Sequence, residues 1–458
     1  MQCSKIFYLV LFLIFNLLLP QRAVESRENP KNIIEIKSVP IKRYHFSKIH
    51  KDAQMWSAIY IASNGKIYVG LCTHADAANV YEFDPSTQTM RHLANITELA
   101  GERGKGIWTS GKIHVQMQEL DGYIYFGSFC EDNGPPVIDA ASYRGPHWYR
   151  IEMKTSKVEL LSSINSSWGL IGQTMDKKKR LIFGLAEDGR LYKYYIDDDY
   201  TECLGKVDCW DICRTIFCDD QGNVYGTCPP GMVWKYDTQQ DRIFDFHFTS
   251  LPVINQSRSL AYPMFDRNVT WRYIEWDPVD NVAYGIVCGS NMLFKYDVHD
   301  GPEGKFTMLE LMCAPAYRAG DPMDIPFATL AMALSQKERK IYFFPVMSGD
   351  FDYGAIQFDV TEKKKFKNNI DSGSLPPLSF LVTYDLKTGT REDVGLLRTE
   401  DGCYAWGMGG AKADKQGRIW FVGAFEEKDE EYAVGKMNRR GAGMYSMGLG
   451  CYDPFGKQ

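Results

Sequence analysis

Residues 104–152 read GKGIWTSGKIHVQMQELDGYIYFGSFCEDNGPPVIDAASYRGPHWYRIE and hold one copy of the pattern that decides the fold. A turn, Asp121–Gly122, leads into the strand-like run Tyr123–Ile124–Tyr125–Phe126–Gly127. A Pro/Gly-rich loop then leads into His147–Trp148–Tyr149–Arg150. Period-two alternation on both sides of a turn is the signature of a β-hairpin.

The same two halves recur along the chain. The turn with its aromatic strand returns as NGKIYVG (64–70), DGYIYFG (121–127), KKRLIFG (178–184), QGNVYGT (221–227), DNVAYGI (280–286), ERKIYFF (338–344) and QGRIWFV (416–422). The second half, most often closing on an aromatic–acid pair, returns as NVYEFDP (79–85), HWYRIEM (147–153), RLYKYYI (190–196), MVWKYDT (232–238), MLFKYDV (292–298), FLVTYDL (380–386) and LGCYDPF (449–455). The halves alternate strictly. The anchors Ile67, Ile124, Leu181, Val224, Val282, Ile341 and Ile419 stand 43 to 78 residues apart, a spacing that suits four-stranded propeller blades. The pattern predicts an all-β, seven-bladed β-propeller of four-stranded antiparallel blades. The last hairpin leaves too little chain for an outer strand, so residues 32–46 are expected to supply it and close the ring. An open ring would expose sheet edges.

Composition agrees with a β-rich chain of many turns: 27 Tyr, 25 Phe, 10 Trp and 40 Gly in 458 residues. A net charge of −6 provides no global field for nucleic acid or an anionic membrane. Lys5 precedes an apolar run, residues 6–19, too short for the roughly 20 residues of a membrane span. With small Ala23 after it, this reads as a signal peptide over 1–23, leaving a single domain over 24–458. A secreted or periplasmic monomer without membrane contact after cleavage is the expectation. One or two disulfides are expected among Cys203, Cys209, Cys213, Cys218 and Cys228. Cys72, Cys130, Cys228 and Cys288, which follow the Tyr–Gly strands, read instead as small buried residues.

Extra length falls in 131–144, beside His147, in 346–378, with the run EKKKFKNN (362–369), and in 426–442, with Lys436, Arg439 and Arg440. Insertions map to loops, and one propeller face collects them. No G-x-S-x-G elbow, phosphate loop, H-E-x-x-H or dinucleotide fingerprint is present. What remains is a set of His and Arg near strand starts. His114, Arg214 and Arg272 occupy like positions in their repeats, and His147 sits across the hairpin from His114. His74, Arg258 and Tyr262 lie in comparable connections.

The stretch GKIH (111–114), Tyr125–Phe126–Gly127 and GPHWYR (145–150) resembles the seven-bladed propeller polysaccharide lyases of the ulvan-lyase type. The resemblance implies β-elimination on a uronic acid, in a canyon lined by two histidines, a tyrosine and an arginine. By position His114 and His147 match the histidines and Arg214 the arginine. The tyrosine falls on Tyr262 or on Tyr200, while Arg272 and His74 would hold substrate. The insertion before His147 departs from the family pattern. In such chemistry a cation faces the carboxylate and offsets developing enolate charge. A His or Tyr takes the C5 proton and an acid donates to the leaving O4. No cofactor is needed, and the implied partner is an acidic polysaccharide. Two other readings stand beside it. One is a propeller that binds glycan or protein without catalysis. The other is a metal-dependent pectin-fragment lyase, in which His74, His114, His147 and Gln116 or Gln118 hold a divalent cation. A calcium-propeller lactone hydrolase is a weaker third.

Overall fold

In the computed structural model all seven aromatic segments are strands, and each pairs antiparallel with the second half that follows it. The structure describes residues 34–35, 37–52, 54–72, 77–104, 109–131, 145–164, 169–207, 215–228, 232–246, 270–288, 291–313, 329–347, 356–357, 378–406, 409–436 and 444–456.

Side chains in the repeat explain why these hairpins form. The acid of the aromatic–acid pair accepts backbone N–H groups of the turn it opens. Asp237 takes Gln239 and Gln240, Asp297 takes His299, and Asp385 takes Lys387 and Thr388. Such Asx turns let a short polar side chain stand in for a backbone turn. The turn before the aromatic strand is built alike. Asp219 accepts from the Gln221 and Asn223 amides and from the Tyr225 hydroxyl, while Asp414 accepts from Gln416, Arg418 and the Trp420 indole. The strand glycine has a separate reason. A Cβ on Gly226 would overlap the Trp234 ring, and one on Gly127 would overlap Leu170 of the next sheet.

The fold is all-β, with propeller-like sheets. Five are separate four-stranded meanders, spanning Gln54–Asn95, Gln118–Ser163, Leu170–Lys206, Phe217–Phe246 and Trp271–Leu311. The sixth and seventh hairpins belong to one eleven-stranded sheet. First strands of successive sheets touch: Leu170–Asp176 with Phe217–Cys218, that with Trp271–Asp277, and that with Met332–Ser335. Met332–Ser335 then touches Ala411–Ala413, which returns to Gln54–Ile61 of the first sheet. At one end the turns are stitched in the same order. Ser63 donates to Glu119, Arg180 to Asp121, Lys178 to the Asp220 carbonyl, Arg339 to Asp277, and Lys337 to the Gln416 carbonyl. His299 reaches Asp220. The core fills the spaces between sheets, with Trp148, Trp234, Trp271 and Trp420 wholly buried.

The N-terminal strand Ser38–His45 has two partners. Its first half runs parallel to Leu396–Thr399 and its second half antiparallel to Gly448–Cys451. The expected pairing with the last hairpin is therefore present, and the parallel partner is additional. It is this strand that joins the last two hairpins into one sheet. Among the described residues no helix is long and apolar enough to cross a membrane. Cys203, Cys218 and Cys228 form no disulfide with one another, so the expected cross-links among these three are absent. Cys209 and Cys213 lie outside the described residues. Cys72, Cys130, Cys228 and Cys288 are buried, as their repeat position suggests.

Candidate functional site

His147 opens the third strand of the second sheet, where its amide donates to the Ser128 hydroxyl oxygen and its carbonyl accepts the Ser128 amide. The Ser128 hydroxyl also reaches that of Ser110, at 3.0 Å. Across from this lies Glu102, just after a helical turn, Ile96–Leu99, capped by Asn95. One Glu102 oxygen accepts the Ser110 amide at 2.7 Å. The other stands 3.8 Å from His147 Nδ1, which has no hydrogen-bond partner among the described residues. Both residues are buried. Burial holds the His147 imidazole below its ordinary pKa, because desolvation disfavours the charged ring. His147 is thus a neutral imidazole at neutral pH, beside a carboxylate that is itself hydrogen-bonded.

His114 is wholly buried. Its Nδ1 meets the Ile171 carbonyl at 2.8 Å; a carbonyl only accepts, so Nδ1 carries a proton. The ring stacks on Trp56 at 4.8 Å and lies 5.8 Å from Phe129. Lys112 places its ammonium 4.2 Å from the Trp56 ring and 4.5 Å from Phe129, a cation–π arrangement. The dipeptide Ser128–Phe129 thereby links the two histidines, His147 through its backbone and His114 through its ring.

First-strand irregularities supply these contacts. Register breaks fall between Met55 and Ile59, between Leu170 and Gly172, and between Trp271 and Tyr273. Bulges re-aim side chains and free backbone groups. Here they turn Trp56 to His114, offer the Ile171 carbonyl to it, and set Arg272 at the register shift between Trp271 and Tyr273. Arg272 is buried at the start of its sheet.

His74, Arg214, Arg258 and Tyr262 lie outside the described residues. Tyr200 is exposed on the outermost strand of the third sheet, its ring tilted against that of Tyr195. The register runs from Tyr200 through Tyr195 and Leu181 to Asp176. That places Tyr200 three strands out, at the opposite end from Ile171 and His114. Among the described residues no three His, Cys, Asp or Glu side chains are grouped to hold a metal.

Sequence reasoning missed a polar group near the centre of the ring. Lys412 of the Ala411–Ala413 strand donates to Glu275 at 2.8 Å and to the Tyr273 hydroxyl at 3.0 Å, both on the fifth sheet. Burial, with Glu275 adding to it and Lys412 opposing, pushes Tyr273 up to about 12. A lysine between two alanines on an inner strand was the one available signal.

The arrangement defines an all-β, β-propeller-like protein with a buried histidine pair near one sheet end. No protein-family model and no curated protein matches the chain. Among solved structures it is similar to the extracellular domain of a one-component system from B. thetaiotaomicron, at 12% identity over 90% of this chain and 39% of that one, with a TM-score of 0.47. A hybrid two-component system's extracellular domain from the same organism gives 12%, 89%, 39% and 0.48. A chain of the mitotic checkpoint complex gives 8%, 88%, 93% and 0.49. This chain spans about two fifths of the length of the two B. thetaiotaomicron chains.

Proposed function

We propose that the chain is a secreted, monomeric seven-bladed propeller that binds an acidic, uronate-containing polysaccharide at the end of the sheets opposite the stitched turns. Seven blades follow if the eleven-stranded sheet is divided at the N-terminal strand. Met332–Ser335 and Ala411–Ala413 then each begin a blade, and the second blade takes its outer strand from the N-terminal segment. Strand order is the observation that carries the binding reading. Connections from second to third strands, and from one sheet to the next, all leave from that end. In sequence those connections hold Arg144, Arg214, Arg258, Arg267, Arg318, Arg439 and Arg440, with Tyr143, Trp210, Tyr262 and Tyr317. Guanidinium groups match carboxylates and aromatic faces suit sugar rings. Binding without catalysis accounts for His114, whose ring is buried and satisfied by a backbone carbonyl.

Lyase activity is the second reading, and His147 favours it. A neutral imidazole with an unbonded Nδ1 is a competent base near neutral pH. In that reaction the C5 proton passes to the base, a C4–C5 double bond forms, and the C4–O4 bond breaks as O4 gains a proton. The test is affinity electrophoresis in gels holding ulvan or polygalacturonate, with absorbance of the unsaturated product followed in parallel. Retardation that weakens with salt, and weakens further in the R439A/R440A variant, is the expected result. Mobility unchanged in both polymers would overturn the binding reading. Product absorbance that disappears in H147A would promote the lyase.

A further inference from the structure

At the stitched-turn end, a cleft of about 500 Å³ opens between the first, second, third and last hairpins, lined by Tyr60, Leu120, Glu119, Lys177, Lys415 and Gln416 among others. That volume lies within the range of small-molecule sites. Its acids already face donors. Glu119 takes the Ser63 amide and hydroxyl, Asp121 takes Arg180, and Asp414 takes Arg418 and the Trp420 indole. Its lysines divide differently. Lys178 and Lys179, next to the cleft, bond the Asp220 carbonyl and Thr238. Lys177 and Lys415, on its rim, have no hydrogen bond or ion pair among the described residues.

We infer that this cleft is a second site, taking a monosaccharide-sized organic anion whose carboxylate meets Lys177 and Lys415 while its ring lies against Tyr60. The division of charge selects an anion: the carboxylates have donors, and the two ammonium groups have no acceptor among the described residues. The volume and the Tyr60 and Leu120 wall select a ring-sized ligand over a bare ion. Tyr60 remains a neutral phenol, pushed up to about 12 by burial and by Glu119, so it presents a face and a hydroxyl without charge. The site is at the opposite end from the proposed polysaccharide surface and stands independently of it.

Calorimetric titration of the full chain with galacturonate, galactose and inorganic phosphate tests the inference. Galacturonate should bind saturably, more tightly than galactose or phosphate, and at least about tenfold more weakly in K177A/K415A. Both lysines are exposed, so the variant should keep the native melting temperature. The R439A/R440A variant should bind galacturonate normally, and K177A/K415A should keep its retardation in polysaccharide gels. The two sites thus fail separately. No saturable galacturonate binding, equal affinity in K177A/K415A, or phosphate binding as tightly as galacturonate would each overturn it.

Discussion

His114 sits where a catalytic base and a buried structural histidine would look alike in sequence. Its Nδ1–H is the donor to Ile171, and its ring fills the space beside Trp56. Replacing it by Ala leaves a buried carbonyl without its donor and a gap beside an indole. A carbonyl so orphaned costs about 1–3 kcal/mol, and the cavity adds to that. H114A is therefore expected to melt at a lower temperature, and the denaturation midpoint measures it. If H114A instead keeps its midpoint, the ring is not the packing element described.

At the scale of the hairpin, each repeat is held by its own turn acids and by a glycine that admits the neighbouring side chain. Gly226 shows the second device. A methyl group there would overlap Trp234, whose ring is wholly buried and has no space to yield. G226A is expected to lose about 1–3 kcal/mol through overpacking, read as a shift in the urea midpoint at unchanged slope. The second hairpin does not need to unfold for this to be seen, because Trp234 lies in the fourth sheet's own hairpin. A G226A protein as stable as the wild type would remove close packing as the reason for the Tyr–Gly pattern.

For the whole molecule, one carboxylate adds side-chain bonds to the strand pairing that joins the N-terminal strand to the last hairpin. Glu427, at the end of its strand, accepts His45 at 2.9 Å and Arg43 at 3.4 Å from the N-terminal strand, and Ser446 at 2.6 Å from the last strand. Burial works to raise its pKa, but the Ser446, Asp429 amide and His45 hydrogen bonds and the Arg43 charge outweigh it, leaving it below 4.5. For a carboxylate lowered on folding, the stabilisation is present above the unfolded value and is lost as pH falls through the folded one. E427Q should thus be less stable at neutral pH by about 1.5–3 kcal/mol. The gap to wild type should close as pH drops below 4.5. Denaturant midpoints across that range decide it; a constant gap would mean the charge contributes nothing to closure.

The hairpins, their order, the turn acids and the buried cysteines were legible in the chain alone because each depends on neighbours a few residues apart. Period-two alternation sets which side chains face inward, and an Asx turn needs only an acid two residues before an amide. The N-terminal strand was also legible, since a missing fourth strand is a counting problem. Its parallel second partner, Leu396–Thr399, was not, because nothing local distinguishes one sheet edge from another. Histidines near strand starts could be placed in a repeat, but the surroundings of His114 depend on bulges in two other strands. Lys412, Glu275 and Tyr273 meet although 137 to 139 residues separate them. Only the turning of successive sheets about a common centre brings them together, and that convergence belongs to the tertiary structure because no short-range pattern encodes it.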